Sequence, residues 1–291
     1  MQKPPYNVAS TTVTINDVVN HLSFPVLIHY PTMDVSTPNN FGPFTIDVAV
    51  DGTIPDGQFP LVIISHGKSG SQYLYRTIST HLAARGYIVA MPEHYGNNRR
   101  DNVLSKSVKN LEYRPQHLSL VIDFLLNDSD FHSQIDTTRI AVIGHSFGGY
   151  AALAVAGGKA YSMQAEEIAT KRDHRVKAIV LMAPAAGYFS PDAALSAITV
   201  PILLYIGSQD HHTPKQWTAD VILKGVPNPE LVRLREIQNA GHFSFISPFP
   251  EAMTSPDFLP STDPEGFDRS AFHGELPKEI LAFLNDSLST I

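Results

Sequence analysis

Two hydrophobic patterns divide the chain. Up to about residue 55 the apolar residues fall in short β-branched runs: TTVTI (Thr11 to Ile15), PVLIHY (Pro25 to Tyr30) and FTIDVAV (Phe44 to Val50), punctuated by Pro, Asn and Gly. This pattern predicts antiparallel strands at a sheet edge. From Phe59 onward, uninterrupted apolar runs alternate with helical spacings. The runs are Leu61 to Ile64, Tyr87 to Met91, Ile140 to Ile143, Ala178 to Met182 and Ile202 to Ile206, with a further strand near Leu231 to Ile237. Between them, Tyr75, Ile78 and Leu82 share one helix face, as do Leu118, Val121, Ile122 and Leu125. Further helices are expected from about Ser146, near Lys215 to Leu223, and through Leu276, Ile280, Phe283 and Leu284.

Strands that are apolar throughout, alternating with amphipathic helices, imply a parallel sheet covered on both faces. Ligands of such sheets bind at the carboxyl ends of the strands. No internal repeat or linker interrupts the pattern, and one α/β domain over residues 1–291 is expected. Residues 244–269, rich in Pro, Ser, Phe and Asp, form a long excursion before the last helix. Loops of that length are usually functional or disordered.

Composition narrows the chemistry. A formal net charge of −7 argues against a nucleic-acid partner, which selects a basic face. The absence of cysteine excludes a disulfide framework, a thiolate zinc site and a cysteine nucleophile. Histidines and acids show no metal-ligand spacing, and no nucleotide-binding glycine motif occurs. No apolar run approaches the roughly 20 residues that span a bilayer. The opening MQKPPYNVASTTVTIN has no apolar leader core. A cytoplasmic protein is therefore expected from the sequence as given, or a secreted or periplasmic one if a leader was trimmed.

One stretch carries chemistry. Gly144-His145-Ser146-Phe147-Gly148 fits G-x-S-x-G, and it lies between a strand and the helix-forming YAALAVA. There a serine stands on a sharp strand-to-helix turn with its hydroxyl exposed, and the glycines give clearance. Ser146 is the expected nucleophile. It needs a base oriented by an acid, in chain order Ser, acid, His. Asp210 closes the apolar strand that ends at Ile206, whereas the strand ending at Met182 is followed by APAAG and offers no carboxylate. His242, in NAGHFSF, follows the last strand and is the expected base. His211 and His212 are read as residues at the cleft rim, and His273 as structural. The backbone N–H groups of Phe147 and of Lys68, in SHGKSGS, are expected to hold an oxyanion. Gly67, His94, Tyr150 and Phe243 are expected to contact substrate. Glu93 and His94 read equally well as a polar turn.

These motifs resemble the α/β-hydrolase superfamily, and within it the bacterial predicted dienelactone hydrolases that are similar to platelet-activating-factor acetylhydrolases. The resemblance rests on SHGKSG, LAARGYIVAMPEHYGN, RPQHLSLVIDFLL, RIAVIGHSFGGY, DHRVKAIVLMAPA, AGHFSF and DPEGFDRSAFH, which cover most of the chain from Phe59 to His273. It implies an eight-stranded, mostly parallel sheet and cofactor-free hydrolysis of carboxylic esters. It carries the nucleophile to Ser146, the base to His242 and the oxyanion donors to Lys68 and Phe147. Two departures stand out: dienelactone hydrolases use a cysteine nucleophile, and the animal acetylhydrolases take their acid from the strand that here ends at Met182. The expected activity is that of a serine esterase on short-chain or acetyl esters. The alternatives are a lipase or polyesterase, an amide or lactone hydrolase on the same residues, or a non-catalytic binding protein.

Overall fold

The computed structural model describes residues 5–289. Residues 1–4 and 290–291 lie outside it, and with them the start of the stretch read for a leader and both ends of the expected 1–291 domain. The strands are β1 (Asn7–Asp17), β2 (Leu22–Thr32), β3 (Thr37–Phe41), β4 (Phe44–Val50), β5 (Phe59–Ser65), β6 (Ile88–Pro92), β7 (Ile135–His145), β8 (Val176–Met182), β9 (Ile202–Gly207) and β10 (Val232–Ile237). They form a ten-stranded sheet in the order β10-β9-β8-β7-β5-β6-β2-β1-β4-β3. The stretch from β10 to β6 is parallel throughout. β2 and β1 continue it antiparallel.

This sheet is larger than the eight strands expected. The extra pair is the β3–β4 hairpin, which joins β1 through two residue pairs, Ala9–Ala49 and Ser10–Val50. β3 reads TPNNF, with no apolar alternation. Its pairing with β4 makes it a strand, not its own composition.

Five α-helices follow the connections: α1 (Arg76–Ala83), α2 (Val108–Asn127), α3 (Phe147–Ala156), α4 (Ala219–Gly225) and α5 (Arg269–Ser287). The helix expected near Lys215 is broken. A 3-10 turn, Lys215–Trp217, precedes α4, because Thr218 (φ −125°, ψ −85°) leaves helical geometry.

The apolar strands are explained by the two covered faces. Successive side chains of a strand point to opposite sides. Leu61 and Ile63 of β5, with Ile140 and Val142 of β7, pack among residues of α2, α3 and α4. Val62, Ile64, Ala141 and Ile143, their alternating neighbours, pack among residues of α1 and α5. Both faces of these strands are buried in apolar surroundings, so the runs are continuous. Parallel pairing also brings the carboxyl ends of β5, β7, β8, β9 and β10 to one edge, where the candidate chemistry converges.

Candidate active site

β7 ends at His145 and α3 begins at Phe147, which leaves Ser146 alone at the turn. Its backbone is left-handed and unfavourable for a side chain (φ 54°, ψ −117°). The turn is clamped by hydrogen bonds. Ser146 N–H donates to Met182 O at 2.9 Å, and Ser146 O accepts from Gly149 N–H and Ala185 N–H, each at 2.9 Å. The flanking glycines are sterically required. A Cβ on Gly148 would stand 1.9 Å from the carbonyl oxygen of Ser65, and one on Gly144 would stand 2.2 Å from that of Gly148.

Ser146, His242 and Asp210 meet, although the last two follow different strands. Ser146 Oγ lies 2.9 Å from His242 Nε2, and His242 Nδ1 lies 2.8 Å from Asp210 Oδ2. A carboxylate only accepts, so Nδ1 carries the proton and Nε2 is left to accept from the serine hydroxyl. Asp210 also takes N–H bonds from His212 (2.8 Å) and Thr213 (2.9 Å) and the Thr213 hydroxyl (2.7 Å). Burial opposes its charge, but the bonds and charge of His242 and the Thr213 bonds outweigh it and hold the carboxyl well below its usual range. Thr213 carries no sequence signal beyond lying three residues past the acid.

Gly67 and Lys68 lie on the opposite wall, in the loop after β5. Gly67 N–H donates to Tyr75 Oη at 3.3 Å. The next amide, that of Lys68, and the amide of Phe147 meet no backbone or side-chain acceptor among the described residues. Phe147 opens α3, and the first amides of a helix have no intrahelical partner. Lys68 and Phe147 both line the same cavity as Ser146.

His145, beside the candidate nucleophile, is not a base. Its Nε2 lies 2.9 Å from the carbonyl oxygen of His242, so Nε2 donates. Its Nδ1 therefore accepts from the Tyr75 hydroxyl, 2.9 Å away. Burial, followed by the charge of His242, holds its pKa down at about 3, so the ring stays neutral at pH 7. An unbroken chain, Gly67–Tyr75–His145–His242, links one wall of the site to the other. The spacing of Tyr75 marks it as an apolar core residue. Its ring is indeed buried, but its hydroxyl belongs to this chain.

A cavity of about 750 Å³ opens over Ser146. Its walls are largely apolar and include the rings of Phe44, Phe147, Tyr188, Phe243, Phe249 and Phe258. The last two come from the long loop before α5. That loop is pinned by Arg269, which binds Asp263 Oδ2 at 2.9 Å and the carbonyls of Pro260 and Thr262 at 2.7 Å each. Two expected substrate contacts are corrected. His94 is fully buried outside the cavity, with Nε2 2.8 Å from Ser65 Oγ and Nδ1 3.2 Å from His117 Nδ1. Tyr150 is also fully buried and lies beneath Phe147, with ring centroids 5.1 Å apart. Its hydroxyl donates to Leu111 O at 3.0 Å. Pro115 explains that contact, since it lacks the N–H that would otherwise bind the Leu111 carbonyl four residues earlier. Among the described residues no group of three or more His, Asp or Glu side chains could hold a metal ion. No described helix is long and apolar enough to cross a membrane.

The chlorophyllase family model matches residues 24–197. The chain is 23% identical over 189 residues to the bis(hydroxyethyl) terephthalate hydrolase of Streptomyces coelicolor, covering 65% of this chain and 52% of that protein. It is 23% identical to cutinase est1 of Thermobifida alba, over 63% of this chain and 53% of that one. Over a shorter stretch, 38% of this chain and 34% of the other, it is 28% identical to the platelet-activating factor acetylhydrolase of Bos taurus. The chain spans about half the length of the first two of these relatives. Among solved structures, the ferulic acid esterase from Streptomyces cinnamoneus superposes with a TM-score of 0.74 at 18% identity, over 97% of this chain and 90% of that one. That likeness extends over the whole architecture, which is an α/β-hydrolase fold.

Proposed function

The chain belongs to the chlorophyllase family, and from that premise we propose that it is a serine hydrolase of carboxylic esters, working through an acyl-enzyme on Ser146. The observation that carries this reading is the relay of 2.9 Å and 2.8 Å contacts from Ser146 Oγ through His242 to Asp210. A serine hydroxyl is a weak nucleophile and needs such a base. In the first step Oγ attacks the ester carbonyl while His242 Nε2 takes its proton. The negative charge that develops on the former carbonyl oxygen is held by the N–H groups of Lys68 and Phe147. Collapse of the tetrahedral species expels the alcohol, which leaves with the proton from His242. Water then attacks the acyl-enzyme with His242 again as base, releasing the acid and restoring Ser146. Asp210 keeps His242 in the right tautomer and offsets its transient positive charge.

The substrate is a small-molecule or lipid-like ester. The similar proteins are named for an acetyl ester in one case and for larger esters in others. The size and apolar walls of the cavity favour the larger. An acetyl group would leave most of about 750 Å³ unfilled, and filling apolar volume is what such walls reward. Gly67 and Phe243 line the cavity and are the proposed substrate contacts.

Turnover of 4-nitrophenyl acetate, butyrate and octanoate by the wild type and Ser146→Ala tests both parts. The variant should lose ~10³-fold or more in kcat, and kcat/KM should rise from acetate to the longer esters. Equal rates for the two proteins would overturn the mechanism, and a marked preference for acetate would overturn the larger substrate.

A further inference from the structure

Beneath the Gly67 loop lies an arginine that the reaction above does not use. Arg114, on α2, exposes no surface. Its hydrogen bonds go to neutral oxygens: the carbonyl of His66, the carbonyl of Gly67 at 3.1 Å, and Asn97, through its carbonyl at 3.1 Å and its side-chain oxygen at 2.8 Å. Burial lowers its pKa to about 9, which still leaves a cation near neutral pH. A buried charge without a counter-ion is costly. The three carbonyls and the Phe147 ring, over which its Cζ lies at 4.9 Å, are what compensate it.

Peptide geometry shows what the charge does there. In a trans peptide the C=O and N–H groups point in opposite directions. The peptide joining Gly67 to Lys68 has its oxygen on Arg114, so its hydrogen, the Lys68 N–H, points away from Arg114. Lys68 lines the cavity, and its N–H meets no acceptor among the described residues. The same oxygen is held by His66 Nδ1 at 2.7 Å and Gly70 N–H at 3.1 Å, so the plane cannot turn over freely. A cation at the oxygen end also polarises the peptide and makes its N–H a stronger donor. Arg114 thus touches the residues that carry both proposed oxyanion donors: the Gly67–Lys68 peptide through its fork and Phe147 through its ring.

We propose that Arg114 is a positioning residue for ester hydrolysis: its guanidinium fork fixes and polarises the Lys68 amide that receives the oxyanion, without touching substrate. This rests on the ester-hydrolase reading. It separates Arg114 from a purely structural role, because stabilisation aimed at the oxyanion should appear in the transition state and not in substrate binding.

The test uses Arg114→Met, of similar length and uncharged, and Arg114→Lys, which keeps the charge but lacks the planar fork. Each is measured with 4-nitrophenyl butyrate and with butylboronic acid, whose tetrahedral adduct on Ser146 places an oxygen in the oxyanion site. The Met variant should lose ~10²-fold in kcat with KM within about threefold, and boronate affinity should fall by the same ~10²-fold. The Lys variant should lose about tenfold in both. A folded Met variant with kcat and boronate affinity within twofold of wild type would overturn the proposal. So would a loss of thermal stability and of KM that leaves boronate affinity untouched. Should the Met variant not fold, the Lys variant decides on the same two readings, and unchanged values there overturn it. A wild type that neither hydrolyses the ester nor binds the boronate would overturn the hydrolase reading itself, and the proposal with it.

Discussion

The imidazole of His145 donates from Nε2 to the main-chain carbonyl of His242, 2.9 Å away. The residue next to the proposed nucleophile therefore holds the backbone of the proposed base. Replacing it with leucine keeps the volume but strands two buried groups, that carbonyl and the Tyr75 hydroxyl. Each unsatisfied group costs about 1–3 kcal/mol. His145→Leu should lower stability in urea by about 2–6 kcal/mol and reduce kcat by roughly tenfold as His242 loses its anchor. Urea melts and ester turnover on the same preparation check both. A variant with wild-type kcat would show that the His242 loop holds its place unaided.

Glycine substitutions should divide sharply by position. Gly148→Ala puts a methyl 1.9 Å from the Ser65 carbonyl oxygen, a backbone atom that cannot swing away as a side chain would. It should yield no natively folded protein, as judged by near-ultraviolet circular dichroism. Gly274, exposed within α5, has nothing within 4 Å of the point where a Cβ would stand. Gly274→Ala should raise stability by about 0.5–1 kcal/mol, because glycine in a helix interior loses more backbone entropy. A destabilised Gly274→Ala would contradict the open space around it.

Acid should unfold this protein earlier than its carboxylates alone would require. Burial holds His29, His117 and His145 down at about 3, against 6.5 for an unperturbed histidine, with the charges of Arg114 and His242 adding to the effect at His117 and His145 respectively. Below pH 6.5 the unfolded chain binds protons that the folded chain refuses until about pH 3. Stability from this source is therefore complete above 6.5 and lost as pH falls through that window. Each histidine adds a slope of ~1.4 kcal/mol per pH unit. Urea midpoints measured from pH 7.5 to 4.5 should fall steadily below 6.5, and His29→Gln should make the decline shallower. A flat profile down to 4.5 would show that these rings gain access to solvent.

What the sequence made legible was local or followed from order along the chain. Ser146 was readable because strand, turn and helix are contiguous around it. Asp210 stood out as the carboxylate that closes a continuous apolar strand, and His242 as the histidine after the last one, and both side chains meet where the proposed roles need them. His94 and Tyr150 were misplaced for a geometric reason. Sequence puts them near the site, yet which side of a turn or helix faces the cavity depends on the packing of other elements. Tyr150 turns inward because Pro115, in a different helix, leaves a carbonyl unpaired. The Tyr75–His145 and His145–His242 contacts span 70 and 97 positions, those of Arg114 with His66 and Gly67 span 48 and 47, and no periodicity encodes a partner at that distance. β3 was invisible because strand TPNNF owes its conformation to its neighbour.

The β3–β4 hairpin meets the rest of the sheet through two residue pairs, yet it carries Phe44 into the cavity wall, with the Phe249 ring 6.1 Å away. The wall thus includes an appendage near one end of the chain and a loop near the other, while the proposed nucleophile, base and acid sit beyond the carboxyl ends of sheet strands between them. Changes to such an appendage could redraw what the proposed enzyme accepts without moving Ser146, His242 or Asp210. The proposed chemistry and part of the cavity's shape are thus housed in separate pieces of the same chain.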